Sequence, residues 1–104
     1  MSYTIDITRS FEDDISAVAD YFLHTLKTSA AAERIINKAE KTILQIGENP
    51  LLFPFYHDEK IAEKGYRYTV ISNYLIFYSV DESEKFVHIL RFIYGGRNVS
   101  DILS

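Results

Sequence analysis

The chain has 104 residues, no cysteine and a net charge of −4, with eleven Lys and Arg against fifteen Asp and Glu. That length holds one domain with a modest core, and the missing thiols exclude disulfides, thiolate metal sites and a thiol nucleophile. The charge is uneven: six bases face eleven acids in residues 1–63, and five face four in residues 64–104. Neither part forms the basic stripe of a strong, unaided nucleic-acid binder. The first six residues lack the basic and apolar regions of a signal peptide, and no apolar run is long enough to span a membrane. A cytoplasmic protein with no membrane partner is the expectation.

Tyr3 to Thr8 alternates as a half-buried strand, with Tyr3, Ile5 and Ile7 on one face. Ser10 is the expected N-cap of a first helix whose apolar stripe is Phe11, Ile15, Val18, Ala19, Phe22 and Leu26. Glu12, Asp13 and Asp14 fall in its first turn, where carboxylates favour the positive end of the helix dipole. Being adjacent, they point apart, so a solvated turn is expected rather than a catalytic pair. Ser29 is the expected cap of a second helix, with Ala32, Ile35, Ile36, Ala39, Ile43 and Ile46 as its stripe. Gly47 is expected to end it in a left-handed conformation, before Pro50. The short link predicts an antiparallel helical hairpin. Arg34, Lys38 and Lys41 lie off the stripe and read as a solvated face.

Asn49 to Gly65 is a long connection, in which Leu52, Phe53 and Phe55 are expected to tuck under the helices; for Asp58 to Lys64 a wet segment is one reading, and a functional one stays open. Three strands follow as a meander, broken only at Ser72-Asn73 and at Asp81 to Lys85. Connections that short make antiparallel neighbours. Strict alternation groups Tyr66, Tyr68 and Val70; then Tyr74, Ile76, Tyr78 and Val80; then Phe86, His88, Leu90, Phe92 and Tyr94. Both faces are largely apolar. One packs on the helices, and the other is expected to stay partly open, which implies a partner.

His24, His57 and His88 are scattered without metal-ligand spacing, and there is no glycine-rich phosphate loop or nucleophile elbow. No metal or cofactor is expected. His88 reads as a half-buried imidazole, and Arg91 as an anchor for a carboxylate or carbonyl. Arg97, freed by Gly95-Gly96 at the strand end, either binds phosphate or clamps the tail.

The runs Asn73-Tyr74-Leu75-Ile76-Phe77-Tyr78-Ser79-Val80 and Val87 to Arg97 resemble the C-terminal signature of the RelE/ParE toxin superfamily of bacterial toxin–antitoxin modules. With the upstream order of elements, the resemblance covers nearly the whole chain. It implies a single α+β toxin domain over residues 1–104, β-α-α-β-β-β, with the N-terminal strand and helical hairpin packed on a C-terminal antiparallel sheet. It also implies a cognate antitoxin that neutralises the toxin, with operator DNA bound only through the complex.

Two branches follow from the resemblance. RelE-like members cut mRNA on the ribosome without metal, using basic residues on the sheet; ParE-like members poison DNA gyrase. Arg67 and Arg97 match basic positions of the nuclease branch. Thr69, Leu75 and Leu103 stand where a lysine, an arginine and a tyrosine are expected. Metal-free RNA cleavage needs a base, an acid and charge stabilisation at the phosphate. Arg67 and Arg97 supply charge alone, leaving His88, Tyr68 or Tyr94 as substitutes. The gyrase-directed branch is therefore preferred, with Arg97, Ile102 and Leu103 as its target-binding candidates. The alternatives are a ribosome-dependent endoribonuclease using Arg67, His88, Tyr94 and Arg97, and a disarmed toxin that only binds antitoxin.

Overall fold

The computed structural model describes residues 2–103. Strand β1 (Thr4–Ile7) leads through helix α1 (Arg9–Asp20), a π-helical stretch (Tyr21–Thr25) and helix α2 (Ser29–Glu48) to the short helix α3 (Glu59–Glu63). Strands β2 (Arg67–Ile71), β3 (Tyr74–Asp81) and β4 (Phe86–Tyr94) follow, then the short helix α4 (Val99–Leu103). The strand order is β1-β4-β3-β2. The meander is antiparallel as expected, but the sheet is mixed. β1 joins it parallel to β4, pairing Thr4 with Phe86 and Ile7 with Ile89. The helices, β2 and β3 all lie between the two in sequence, which supplies the long connection that a parallel neighbour requires.

One face of the sheet packs on the helices. Ile76, Tyr78, Val87 and Ile89 are fully buried there against Phe11, Ile35, Ala39 and Ile46, with Phe92 and Tyr74 at the far end. Full burial of each such side chain favours the fold by about 1.5–3 kcal/mol. The Tyr78 hydroxyl donates to Pro50 O at 2.8 Å, tying the long connection to the core.

The other face is closed by the chain itself, against the expectation of an open surface. Phe77 and Ile93 are buried there under Ile61, Val99 and Leu103, with Tyr56, Tyr66, Tyr68, Leu75 and Leu90 around them. Asp58 to Lys64 is wet on one side only: it forms α3, whose Ile61 is buried while Glu59, Lys60, Glu63 and Lys64 are exposed. The tail is pinned on top. Lys64 Nζ donates to Leu103 O at 2.6 Å, and Ser100 Oγ donates to Asp58 Oδ2 at 2.6 Å. The Ser100 hydroxyl is the largest cause holding the Asp58 carboxyl below the usual carboxylate range. Within the long connection only Phe53 tucks under the helices, while Leu52 and Phe55 are exposed.

Several local expectations shift for physical reasons. Thr8, not Ser10, caps α1, its hydroxyl accepting from Phe11 N–H at 3.2 Å; Thr28, not Ser29, caps α2, accepting from Ala31 N–H at 3.3 Å. Gly47 lies inside α2 and ends nothing. A Cβ there would sit 2.7 Å from Ile5 Cδ1 and would push that side chain aside; β1 approaches closely here, its Tyr3 N–H donating to Gly47 O at 2.9 Å. Strict alternation fails in β4. Phe77 pairs with Arg91 and Tyr78 with Ile89, so Leu90 is an extra residue. Leu90 stays on the face of His88, in the cluster under α3 and α4, and the bulge resets the alternation after it, returning Phe92 to the helical face and turning Ile93 to the other.

The bulge lies where β1 has ended, so the outer edge of β4 needs other partners. Thr8 Oγ1 donates to Ile89 O at 2.9 Å and Leu90 O at 3.0 Å. Asp14 accepts from Phe92 N–H at 2.9 Å and takes the Arg91 guanidinium in a bidentate pair at 2.7 and 3.0 Å. Of the two anchors expected for Arg91, carboxylate or carbonyl, it is the carboxylate that is found. Asp14 is not solvated, unlike the neighbouring Asp13, which makes only a 3.8 Å contact with Arg9 across exposed side chains.

Two stability predictions follow. Leu103→Ala empties a packed site under the sheet and should cost about 2–5 kcal/mol in urea unfolding; an unchanged midpoint would mean that the tail contributes no packing. Asp14→Ala leaves Arg91 and the Phe92 N–H unpartnered and should cost about 2–3 kcal/mol, whereas Asp13→Ala should stay within about 0.5 kcal/mol. Equal effects of the two would remove the anchoring role of Asp14.

Candidate functional site

A concavity lies where α1 meets the ends of β3 and β4. It encloses about 600 Å³ and is lined by Asp14, Ala17, Val18 and Tyr21 on one side and by Tyr74, Phe92, Tyr94 and Arg97 on the other. The helical contribution is a second stripe on α1 at i, i+3, i+4 and i+7, beside the core stripe. The sheet wall is aromatic. Tyr74 stacks on Phe92 with ring centroids 5.0 Å apart and planes 10° from parallel, and Tyr94 meets Tyr74 edge-on at 5.7 Å.

Gly95 and Gly96 shape the rim. A Cβ on Gly96 would meet the Tyr94 ring at 2.6 Å, and one on Gly95 would press on Asn73 O at 3.2 Å. The chain can therefore pass over the Tyr94 ring, with Gly95 N–H donating to Asn73 O at 2.8 Å and Arg97 N–H to Tyr94 O at 3.1 Å. That path brings Arg97 back to the hollow. Its side chain is exposed and, among the described residues, takes part in no ion pair.

Chemically, the hollow presents phenols and one guanidinium. Burial pushes the Tyr74 phenol up, with Tyr21 and Tyr94 adding to the shift, so it remains a neutral hydrogen-bond donor at pH 7. Asp14 is already engaged by Arg91 and the Phe92 N–H. The arrangement suits an anionic or hydrogen-bonding surface and offers no ready general base. Among the described residues there is no group of three or more His, Cys, Asp or Glu that could hold a metal.

Of the sequence candidates, Tyr94 and Arg97 come together here; the others do not. Arg67 pairs with Tyr78, four residues along β3 from Tyr74 and so about 13 Å from the hollow. Its guanidinium donates to Phe53 O at 2.7 Å and lies over the Phe55 ring at 4.0 Å, which clamps the long connection. His88 lies between the helix-facing Val87 and Ile89, on the opposite face, with Nδ1 2.8 Å from Asp6 Oδ2 and its ring stacked on Phe86. Tyr68 packs with Tyr56 and Phe77 on that same face. Leu103 is buried in the second cluster and Ile102 packs partly against it, so Leu103 can reach a target only if the tail leaves the sheet. Tyr21 and Tyr74 were not among the site residues expected from the sequence, although the i, i+7 spacing of Asp14 and Tyr21 places those two on one side of α1.

A four-stranded mixed sheet backed by a helical pair, with a tyrosine-lined hollow at its end, defines a small α+β domain. The family model described as "ParE toxin of type II toxin-antitoxin system, parDE" matches residues 5–99, and the chain belongs to that family. Its fold is that of solved toxins. It is similar to a chain of the RelBE2 toxin–antitoxin complex of Mycobacterium tuberculosis, at 18% identity and TM-score 0.66 over 90% of this chain and 99% of that one. It is similar to a chain of the chromosomal ParDE system of P. aeruginosa, at 15% identity and TM-score 0.70 over 89% and 96%. A third likeness is to the archaeal RelE–RelB complex of Pyrococcus horikoshii OT3, at 15% identity and TM-score 0.54 over 94% and 100%. No curated protein matches the chain. Among the described residues no helix is long and apolar enough to cross a membrane.

The tyrosines set an alkaline limit. Burial is the largest cause raising the phenols of Tyr56, Tyr74 and Tyr78 above their ordinary value. A raised folded-state value means that their contribution is whole below the unfolded phenol range, about 10, and is lost as pH climbs through the folded values. Absorbance titration should find tyrosines ionising late, with urea stability falling over that window. In Tyr74→Phe one late step should disappear; its persistence would place Tyr74 in water.

Proposed function

We propose that this chain is the gyrase-directed toxin of a toxin–antitoxin pair, arresting growth until a cognate antitoxin neutralises it. The observation that carries the reading is the match to the ParE family over residues 5–99. The site geometry supports it. A metal-free nuclease needs base, acid and charge around one phosphate. Here Arg67 is spent on the Phe53–Phe55 segment, His88 lies on the other face of the sheet, and the hollow holds Arg97 among phenols. On this reading Arg97 is the target contact, with Tyr94 and Tyr74 as its aromatic surround, and the toxin acts by binding rather than by bond cleavage.

The solved neighbours come from toxin–antitoxin complexes, which supports an antitoxin as the partner here. Exposed apolar residues are available to it. Val70 stands on the edge strand β2, and Leu51, Leu52 and Phe55 lie on the connection, so an added strand or helix would cover them. Operator DNA is then reached only through that complex, and the cytoplasm is the place of action. The ribosome-dependent endoribonuclease is the second reading, favoured by one observation: Tyr94 and Arg97 share the hollow.

Induced expression without antitoxin, with DNA and protein synthesis pulse-labelled side by side, separates the two. DNA synthesis should fall first, and purified protein should trap cleaved DNA with gyrase. Arg97→Gln, at an exposed unpaired site, should change stability by less than about 0.5 kcal/mol yet relieve the arrest. Arg97-dependent cleavage of ribosome-bound mRNA would overturn the gyrase assignment.

A further inference from the structure

A second concavity lies between the helices and the β2–β3 turn. It holds about 530 Å³ and is lined by Phe22, Ala31, Arg34, Ile35, Asn37, Lys38 and Lys41, closed by Ser72 and Asn73 of the β2–β3 turn. Arg34, Lys38 and Lys41 are exposed on α2, at i, i+4 and i+7. Lys38 therefore stands about 6 Å and Lys41 about 10 Å along the helix from Arg34. The ion pairs among the described residues are Arg9–Asp13, His88–Asp6 and Arg91–Asp14, so none of these three cations is neutralised. No acid lines the concavity, although the chain as a whole is acidic. Like charges at i, i+4 disfavour a helix by a few tenths of a kcal/mol. An anion between them removes that penalty.

The rest of the lining narrows the anion. The floor is apolar, from the side chains of Phe22 and Ile35, and Phe22 is carried by the π-helical stretch, a local widening often found at functional sites. Asn37 and Asn73 each bring an amide with donors and an acceptor, and Ser72 brings a hydroxyl. A segment of carboxylates would satisfy the cations but leave the aromatic floor and both amides unused. A nucleotide uses all of them: phosphates on Arg34, Lys38 and Lys41, the base on Phe22 and Ile35, and the base edge on the asparagines. The volume lies in the range of small-ligand sites.

We propose that this groove binds a nucleoside phosphate, either free or as one unit of a single-stranded nucleic acid. The inference does not depend on which target the toxin poisons, because it is read as binding by the purified chain. Calorimetric titration with ATP, inorganic triphosphate and a short oligothymidylate tests it. ATP should bind at least about tenfold tighter than triphosphate, a difference of 1.4 kcal/mol, because only ATP meets the floor. The Arg34→Gln, Lys38→Gln, Lys41→Gln triple variant keeps good helix formers on an exposed face and should lose binding while unfolding at an unchanged urea midpoint. Asn37→Ala with Asn73→Ala should weaken ATP selectively and leave triphosphate unaffected.

The arms also identify the source. Tighter binding of the oligonucleotide, with a salt dependence that flattens by about 0.7 per lost phosphate contact in the triple variant, makes a strand the ligand. Tighter binding of ATP makes it a free nucleotide. Binding that survives the triple substitution, ATP no tighter than triphosphate, or no binding of any probe overturns the proposal.

Discussion

The fold depends on how β4 is completed after β1 runs out. A central strand that loses its neighbour halfway along leaves backbone groups without partners, and a buried unpaired group costs about 1–3 kcal/mol. Here Thr8 and Asp14 supply the missing partners from the start of α1, and Arg91 fixes the Asp14 carboxylate. The same contacts seat α1 against β4. They thereby set one wall of the tyrosine-lined hollow, since Asp14, Ala17, Val18 and Tyr21 follow one another along that helix. Stability and site share a single anchor.

The two faces of the sheet divide the labour. The helical face provides the larger core and, at the end of the sheet, the hollow with Tyr94 and Arg97. The other face is sealed by α3 and α4, which are too short to stand alone and are held by Ile61, Val99 and Leu103 and by the Asp58–Ser100 and Lys64–Leu103 bonds. A five-residue helix has little intrinsic stability, so the tail is ordered by the surface that it covers.

Much of this was legible in the chain because alternation and helical spacing report burial directly. The meander, the half-buried first strand, the two helical stripes and the anchoring role of Arg91 all followed from residue pattern. The misses have identifiable causes. Asp14 carries the same signal as Glu12 and Asp13, and only tertiary placement tells them apart. The extra residue at Leu90 leaves no mark on composition, so alternation keeps Leu90 with His88 but misplaces Phe92 beyond it. Gly47 read as a helix end because glycine often ends a helix; the Ile5 side chain that it lies against is 42 residues away in sequence. At the site, the glycines freed Arg97 as expected, but its aromatic surround needed Tyr21 and Tyr74, which lie far apart in sequence.

The pairing of β1 with β4 also governs the order in which the chain can be finished. Thr8 finds its carbonyls 81 and 82 residues further on. On a ribosome the first strand is therefore made long before its partner emerges, and it waits with Tyr3, Ile5 and Ile7 unsheltered. Closure of so long a loop is entropically slow, and a strand waiting with an apolar face and open hydrogen bonds is prone to association. The nascent toxin thus passes through an interval in which its helical hairpin can form while the sheet cannot close.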